Sequence, residues 1–330
     1  MNKLTPIFVG GTGRSGTSIF KRIMRENTRI ATIPRELRLL IDPGGGLDLI
    51  SSLSEQWSPV AGDAALTNFE TLVKESGGKG SVKKFMSRIE RSKAWPKSLS
   101  PARYSDQRLG RYFGFDFYER RLAQLISDLS FAESKGRWLG TKPYRLGTVI
   151  RETSPFTEDV ISEMVASCFS DLYSQLNKAS PKLSHWLDDT PYNLMYCDKL
   201  LKTFKGARFI HLYRDPRDVM ASYRTKIWGG NDFEVVAKRL AGLYEQWFRI
   251  RERLPKGSFC EIALEDLVNE PEKVLRKSCD FCGVEMHENM LQISLKKSNS
   301  GRWKKDIPSE EMRKSLPHLL PALKAYGYEV

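Results

Sequence analysis

The residues best suited to chemistry form a glycine-rich run near the N-terminus, residues 10–18, GGTGRSGTS. Glycines let successive backbone N–H groups curl around a phosphate, and the N-terminus of a following helix favours an anion. Arg14 adds a cation, and Thr17 and Ser18 add hydroxyl donors. Thr17 stands where a Walker-type loop has the lysine that reaches the β/γ-phosphates of ATP or GTP. The run therefore predicts an anion site of another kind; the alternative is a tight turn that only needs glycine.

A second candidate segment is ARFIHLYRDPRDVMASY, residues 207–223. Arg214 follows a predicted buried strand, Asp215 can cap the next helix, and Pro216 suits its first turn. Ser222 lies about two turns further on. Open α/β sheets bind ligands at the carboxyl ends of their strands, which favours a phosphate contact at Arg214. The alternative is a solvated helix start with local ion pairs.

These segments require a sheet that positions them. Short apolar runs predict strands at 6–10, 29–33, 186–189, 207–213 and 258–263. Helical periodicity and breakers predict helices at 15–27, 157–177, 194–204, 216–226 and 233–254. Strands separated by helices indicate an α/β fold with a central parallel sheet. Residues 42–137 have no clear buried strands and are interpreted as a helical insertion in a single domain covering 1–330.

The composition excludes several classes of protein. Its 53 Lys and Arg against 40 Asp and Glu give a net charge of +13, which favours a polyanionic ligand. Five Cys and four His indicate neither a disulfide framework nor a His-rich metal site. No signal-peptide pattern and no apolar run of ~20 residues is present. We therefore expect a cytoplasmic protein without a transmembrane segment.

Together, GTGRSGTS and RDPRDVMAS resemble the sulfotransferases that use 3′-phosphoadenosine 5′-phosphosulfate (PAPS), in particular a bacterial branch similar to tyrosylprotein sulfotransferases. Glu265-Asp266-Leu267 with Pro271, and Gly301-Arg302-Trp303, are weaker matches. The resemblance covers residues 6–40 and 184–330 but not the insertion. It implies a P-loop-type three-layer α/β fold, PAPS as donor, 3′-phosphoadenosine 5′-phosphate (PAP) as product, and no metal.

The resemblance also implies roles for individual residues. Arg214 and Ser222 would bind the 3′-phosphate, and Gly301, Arg302 and Trp303 would close over the adenosine, although Trp303 could equally be a core aromatic. The expected donor-binding loop consists of Gly11, Thr12, Gly13, Arg14, Ser15, Gly16, Thr17 and Ser18, of which 13–18 would hold the 5′-phosphosulfate.

Three residues are catalytic candidates, two of them by the same resemblance. Arg14 would face the sulfuryl group. Glu36 would take the proton from the acceptor hydroxyl, because a neutral hydroxyl is a poor nucleophile. Arg35 and Arg38 would keep it ionised but less basic; the alternative is a surface Glu paired with these arginines. The third candidate is Asp189.

Asp189 departs from the family pattern. Relatives commonly have E-K-T-P where this chain has Asp188-Asp189-Thr190-Pro191, so an acid stands where a cation is expected. Either Arg14 and another cation such as Lys142 carry that role, or Asp189 orients the acceptor or acts as the base. The remaining alternative is that Asp189 caps the next helix.

The sequence does not identify the acceptor, which could be a hydroxyl of a glycan, a lipid, a metabolite or a tyrosine. It does not determine the oligomeric state either. Basic residues in the insertion could seat an anionic acceptor or form a solvated face; they are Lys79, Lys83, Lys84, Arg88, Arg91, Lys93, Lys97, Arg103, Arg108 and Arg111. Nucleic acid is not expected, because no recognised module accompanies the charge. The other functions considered are a small-molecule kinase that uses ATP and magnesium, and a family member that binds a nucleotide or polyanion without transfer.

Overall fold

A computed structural model of the chain describes residues 4–78, 104–140, 149–178, 182–226, 228–295 and 300–330. It divides into two compact units. Unit 1 comprises Met1–Leu4, Ile33–Pro181 and Lys202–Phe204, and unit 2 comprises Thr5–Thr32, Lys182–Leu201 and Lys205–Val330. The predicted insertion, 42–137, lies within unit 1; its status as an insertion into a single domain stays a prediction.

Strands and helices alternate along most of the described chain. The strands are β1 (Thr5–Gly10), β2 (Ile30–Thr32), β3 (Ala132–Lys135), β4 (Val149–Glu152), β5 (His185–Asp188), β6 (Arg208–Tyr213) and β7 (Phe259–Ala263). The helices are α1 (Thr17–Met24), α2 (Gly46–Leu53), α3 (Pro59–Gly77), α4 (Leu109–Phe113), α5 (Phe115–Asp128), α6 (Glu158–Ser174), α7 (Cys197–Thr203), α8 (Pro216–Tyr223), α9 (Phe233–Arg251), α10 (Leu264–Asn269), α11 (Pro271–Cys282), α12 (Trp303–Asp306) and α13 (Ser309–Ala325). None of them has both the length and the apolar character needed to cross a membrane.

Unit 2 contains a five-stranded sheet in the order β2-β5-β1-β6-β7, and each pair of neighbours is parallel. The predicted α/β class with a central parallel sheet is confirmed. In register, Phe8 of β1 lies beside Asp188 of β5, and Gly10 lies beside His211 of β6. The glycine-rich loop, Asp189 and Arg214 therefore all follow strands that end at the same edge of the sheet.

Both faces of this sheet are buried, which explains why its strands are continuous apolar runs. Ile7 and Val9 pack in one cluster with Phe20 of α1 and Leu275 of α11. Phe8 alternates with them along β1 and packs edge to face on Trp186, with ring centroids 5.3 Å apart. Each such side chain contributes about 1.5–3 kcal/mol by leaving water, so the sheet is a rigid base for the loops at its carboxyl edge.

The part of unit 1 that the structure describes is mainly helical; residues 79–103 of the predicted helical segment lie outside the described residues. Its helices are joined by polar contacts as well as by apolar packing: the Tyr118 hydroxyl of α5 donates to the Val73 carbonyl of α3 at 3.0 Å. Arg121 Nε of α5 lies 2.8 Å from Asp171 Oδ2 of α6. Unit 1 also contains an antiparallel pair, β3 and β4, that was not predicted. Most of β3 is exposed, so it lacks the apolar alternation by which a half-buried strand is found.

All five predicted helices end one to three residues earlier in the structure, and two of them differ further in segments that flank the candidate site. Helix α1 begins at Thr17 rather than at residue 15, because Arg14 and Gly16 have φ of 59° and 105°, outside the right-handed helical region. The helix predicted at 194–204 is divided into a short 3-10 helix, Pro191–Tyr196, and α7. The segment after β5 therefore turns more tightly than an α-helix would allow.

Candidate functional site

The glycine-rich loop of unit 2 has the backbone of an anion nest. Gly13, Arg14 and Gly16 all have positive φ, at 78°, 59° and 105°. Such left-handed residues bend the loop so that its N–H groups converge, at the start of a helix whose dipole favours negative charge. A Cβ on Gly11 would lie 2.6 Å from the Leu212 carbonyl oxygen. The bend therefore requires glycine for space as well as for conformation.

Neighbouring segments hold the first residues of this loop. The Gly11 N–H donates to the Pro191 carbonyl at 2.8 Å, and Asn193 Nδ2 donates to the Val9 carbonyl at 3.3 Å. The Tyr223 hydroxyl of α8 donates to the Thr12 carbonyl. Contacts from both sides therefore fix the loop. Sequence reasoning missed Tyr223 and Asn193. The available signal was their position in the sequence: Tyr223 follows Ser222, and Asn193 lies two residues after Pro191.

Arg14 connects the loop with the second candidate segment. Its Nε donates to the Ser222 hydroxyl at 3.0 Å, and Ser222 is buried on α8. Burial lowers the pKa of the Arg14 guanidinium, and repulsion by Arg214 and then by Arg302 lowers it further. We call Arg14, Arg214 and Arg302 the cation cluster. Like charges repel at close range, so a bound anion would relieve their repulsion.

Asp218, which the sequence analysis did not single out, organises the other side of the cation cluster. Its carboxylate lies 3.3 Å from Arg214 Nη2 and accepts the N–H groups of Gly301 at 2.8 Å and Trp303 at 3.0 Å. Burial raises the pKa of Asp218, while these N–H groups and Arg214 act in the opposite direction. The available signal was its position four residues after Arg214, in the first turn of α8.

Trp303 contacts the start of α8. The Arg217 guanidinium carbon lies 4.4 Å from the centroid of its ring, a cation–π distance. Arg217 is held in turn by the Asp215 carboxylate, at 3.0 Å from Nε and 2.8 Å from Nη2. Asp215 also accepts the Arg217 N–H, so the predicted helix cap is confirmed. Asp218 thus joins Arg214 to Gly301 and Trp303, whereas Ser222 contacts Arg14 and the Arg302 side chain pairs with Asp306. The binding roles of these residues stay predictions.

Glu36 belongs to unit 1 and forms an ion pair with Arg38, two residues further along the chain. Arg38 Nη1 lies 3.2 Å from Glu36 Oε2, and the Glu36 side chain is 33% exposed. Arg38 Nε also lies 2.8 Å from Asp42 Oδ2, which accepts the Tyr104 hydroxyl at 2.7 Å. The expected pairing with Arg38 is confirmed. The role of Glu36 as the base stays a prediction.

Asp189 forms an ion pair that the sequence analysis did not anticipate. Lys21 Nζ of α1 lies 2.6 Å from Asp189 Oδ1, and both side chains are largely buried. The residue before the short 3-10 helix is Thr190, and that helix has no side-chain cap. The interpretation of Asp189 as a helix cap is therefore wrong. Lys142, the other cation considered, lies outside the described residues.

Metal-binding and redox features are few in the described ranges. Within them, no group of three or more His, Cys, Asp or Glu side chains could hold a metal ion. Cys279 and Cys282 are both buried in α11, and burial raises the pKa of Cys279 to about 11. A thiol of this kind is a core side chain rather than a reactive one. Of the basic residues of the insertion, all except Arg108 and Arg111 lie outside the described residues.

Comparisons with known proteins identify the family. A family model described as "Sulfotransferase family" matches residues 118–288, more than half of the chain. The chain belongs to the sulfotransferase family, and the predicted family membership is confirmed. The matched range includes Arg214 and Ser222 and does not include the glycine-rich loop.

Individual relatives are distant. An uncharacterized protein of Aquifex aeolicus (strain VF5) is 23% identical over 208 residues, which are 57% of this chain and 26% of that protein. The chain thus matches about a quarter of the length of that relative. The sulfotransferase domain of the olefin synthase from Synechococcus PCC 7002 is 15% identical to this chain, with a TM-score of 0.53. The match covers 100% of this chain and 97% of that domain. The sulfotransferase domain of the curacin biosynthetic pathway is 15% identical and covers both chains fully, with a TM-score of 0.49. The first of these structures shows that the fold is shared.

Proposed function

We propose that this sulfotransferase takes its sulfuryl group from PAPS and transfers it to a hydroxyl of a small-molecule acceptor. The carrying observation is the cation cluster of Arg14, Arg214 and Arg302 beside a glycine-rich loop. PAPS carries a phosphosulfate and a separate 3′-phosphate, so it needs cations at two places. The cluster has one cation in the loop, one at the end of β6 and one beside α12.

The residues present fit such a donor. The left-handed loop is packed so closely that it admits no side chain at Gly11 or Gly16, since a Cβ on Gly16 would lie 2.7 Å from Leu264 Cδ1. Ser15 Oγ in this loop is buried without a hydrogen-bond partner among the described residues, and buried polar atoms are normally satisfied. Arg14 and the loop N–H groups would hold the phosphosulfate, Arg214 and Ser222 the 3′-phosphate, and Gly301, Arg302 and Trp303 the adenosine end.

When bound, PAPS supplies the sulfuryl group and leaves as PAP after transfer to the acceptor oxygen. Glu36 takes the hydroxyl proton in this proposal. A positioned carboxylate can remove this proton as the new S–O bond forms. Arg14 and the loop N–H groups stabilise negative charge at the phosphate side of the reacting centre. Fixed donors of this kind act strongly because they need no reorganisation during the reaction.

The test is a calorimetric titration of the whole chain with PAP, ADP and ATP, each with and without magnesium. We expect PAP to bind more tightly than ADP and independently of magnesium, because only PAP has a 3′-phosphate. A preference for ATP with magnesium would contradict the proposal and favour the kinase alternative. A second assay would measure the release of PAP from PAPS with a panel of sugar, lipid, phenol and tyrosine acceptors. If the protein binds PAP but releases none from PAPS with any of them, the result would favour the non-catalytic alternative.

A further inference from the structure

The ion pair between Lys21 and Asp189 lies beside the glycine-rich loop. Lys21 is four residues after Thr17, so it shares a helix face with the first residue of α1. Long side chains on a helix lean towards its N-terminus, and the Lys21 side chain is therefore directed back towards the loop. Its exposed fraction is 12%, and that of Asp189 is 1%. A charged pair is thus enclosed where an anion is expected.

Asp189 is held against the loop independently of Lys21. The residue before it, Asp188, lies beside Phe8 in the parallel pairing of β5 with β1. Two residues after it, the Pro191 carbonyl accepts the Gly11 N–H. Asp188 itself accepts the Thr190 hydroxyl at 3.1 Å and Asn193 Nδ2 at 2.7 Å. The two acids therefore differ: Asp188 fixes its own turn, whereas Asp189 reaches α1.

Stability alone is a poor explanation for such a pair. Removing two charges from water costs free energy that their attraction only partly offsets, and apolar residues of similar size often serve as well. The pair can instead be explained by the electrostatics of the nearby site. Arg14 is already repelled by Arg214 and Arg302, so an additional ammonium would add to that repulsion unless a carboxylate offset its charge.

We propose that Lys21 is a further donor to the sulfuryl group of the bound donor, and that Asp189 is the positioning residue that holds it. The proposal rests on the function proposed above. An ammonium has three N–H donors, so its ion pair with Asp189 is compatible with a contact to a bound sulfuryl oxygen. Asp189 supplies orientation and charge balance, and Lys21 supplies the hydrogen bond.

The test compares the affinities for PAPS and for PAP, because PAP lacks the sulfuryl group. Calorimetry would use the wild-type protein, Lys21→Met, Lys21→Arg and the control Arg22→Met, which removes a cation from the exposed face of α1. We expect Lys21→Met to bind PAPS about tenfold more weakly, the effect of losing a charged hydrogen bond, with an unchanged affinity for PAP. Lys21→Arg should recover most of the affinity for PAPS, and Arg22→Met should bind both ligands as the wild type does.

A Lys21→Met variant with wild-type affinity for PAPS would overturn the proposal. Equal losses of PAP and PAPS would also overturn it, since they would indicate a structural role for the pair. As a single substitution, Asp189→Asn should weaken PAPS binding. Added to Lys21→Met it should weaken binding little further, because Asp189 acts through Lys21. Fully additive effects of the two substitutions would exclude that coupling. If the wild-type protein binds neither nucleotide, the proposed function fails instead.

Discussion

At the scale of single residues, the site depends on buried carboxylates as much as on its cations. Asp218 accepts two backbone N–H groups of the 301–303 segment and lies against Arg214. Hydrogen bonds to a charged group are stronger than neutral ones. Asp218 therefore connects the residue proposed for the 3′-phosphate with those proposed for the adenosine.

Arg214→Ala tests the 3′-phosphate assignment. We expect PAP binding to weaken by about 10- to 100-fold, because a buried charged contact is lost. ADP has no 3′-phosphate, so its affinity should change little, and calorimetry with both ligands measures the difference. Arg253→Ala is the matched control, since it removes the same charge from an exposed position. Equal losses of PAP and ADP affinity would contradict the assignment.

Glu36→Gln tests the proposed base. The amide has nearly the same shape but cannot take a proton, so we expect the rate of sulfuryl transfer to fall by about 100- to 10,000-fold. PAP affinity should stay unchanged. Steady-state rates with an acceptor identified by the panel above, together with calorimetry, measure both quantities. An unchanged rate would contradict the role of Glu36 as the base.

At the scale of elements, the loop geometry depends on the elements around it. β5 and the following turn hold its first residues, α8 contacts it through Tyr223 and Ser222, and Leu264 at the start of α10 lies against Gly16. Each of these elements is anchored in a buried core. The loop is therefore a preformed structure whose conformation is determined by packing.

Gly16→Ala should disturb this loop. Gly16 has φ of 105°, which side chains disfavour, and an added methyl would meet Leu264. We expect a loss of about 1–3 kcal/mol in the free energy of unfolding and weaker PAP binding, measured by urea denaturation and calorimetry. Gly242→Ala is the control: its Cβ would meet nothing within 4 Å, and alanine in a helix is favourable. A neutral Gly16→Ala variant would show that the loop tolerates a different conformation.

The lowered pKa of Glu261 in β7 should make the stability of the protein depend on pH. Burial acts to raise the pKa of Glu261, but His211, Trp247 and Arg251 outweigh it and lower the pKa to about 2. The Tyr326 hydroxyl near the C-terminus also donates to this carboxylate at 3.1 Å. Because the folded-state pKa lies below the unfolded value of ~4.3, the stabilisation is present above that value. It is lost as the pH falls towards 2.

Urea denaturation between pH 6 and pH 3 tests this dependence. Protonation of Glu261 is linked to unfolding. Between pH 6 and pH 3 the free energy of unfolding should therefore fall by about 2 kcal/mol more in the wild-type protein than in the Glu261→Gln variant. Glu310→Gln, which removes a carboxylate from an exposed pair, should follow the wild type. Parallel curves for Glu261→Gln and the wild type would refute the assignment.

At the scale of the whole molecule, charge is the property that extends beyond the site. The net charge of +13 attracts anionic ligands over distances of about one Debye length. Such steering acts mainly on the association rate. It complements the cation cluster, which is proposed to contact the ligand at short range.

Stopped-flow association of PAP should therefore slow with salt. Between ~50 mM and ~500 mM NaCl we expect the association rate to fall by about tenfold, because the Debye length shortens. Adenosine, which has no phosphate, is the control ligand, and its equilibrium binding should not change with salt. A salt-independent rate for PAP would indicate that the overall charge serves another ligand, such as an anionic acceptor.

The sequence by itself determined the architecture of unit 2 and where its candidate binding segments lie. Buried strands separated by helices specify a parallel sheet, and loops that follow parallel strands meet at one edge, so residues 10–18 and Arg214 could be placed together. The chemistry of glycine and arginine is the basis for predicting an anion site at this edge. These properties are local or periodic, and they can be read from neighbouring residues.

Only the tertiary structure decided which distant side chains meet. Asp218 reaches the backbone at 301–303, Tyr223 reaches Thr12, and Lys21 pairs with Asp189, across 83, 211 and 168 positions. No periodicity in the chain encodes such pairs, because their closeness results from how helices pack on the sheet. The mostly exposed strand β3 and its partner β4 were not predicted for a related reason: their pairing satisfies backbone groups, and the two short strands leave little apolar pattern in the sequence.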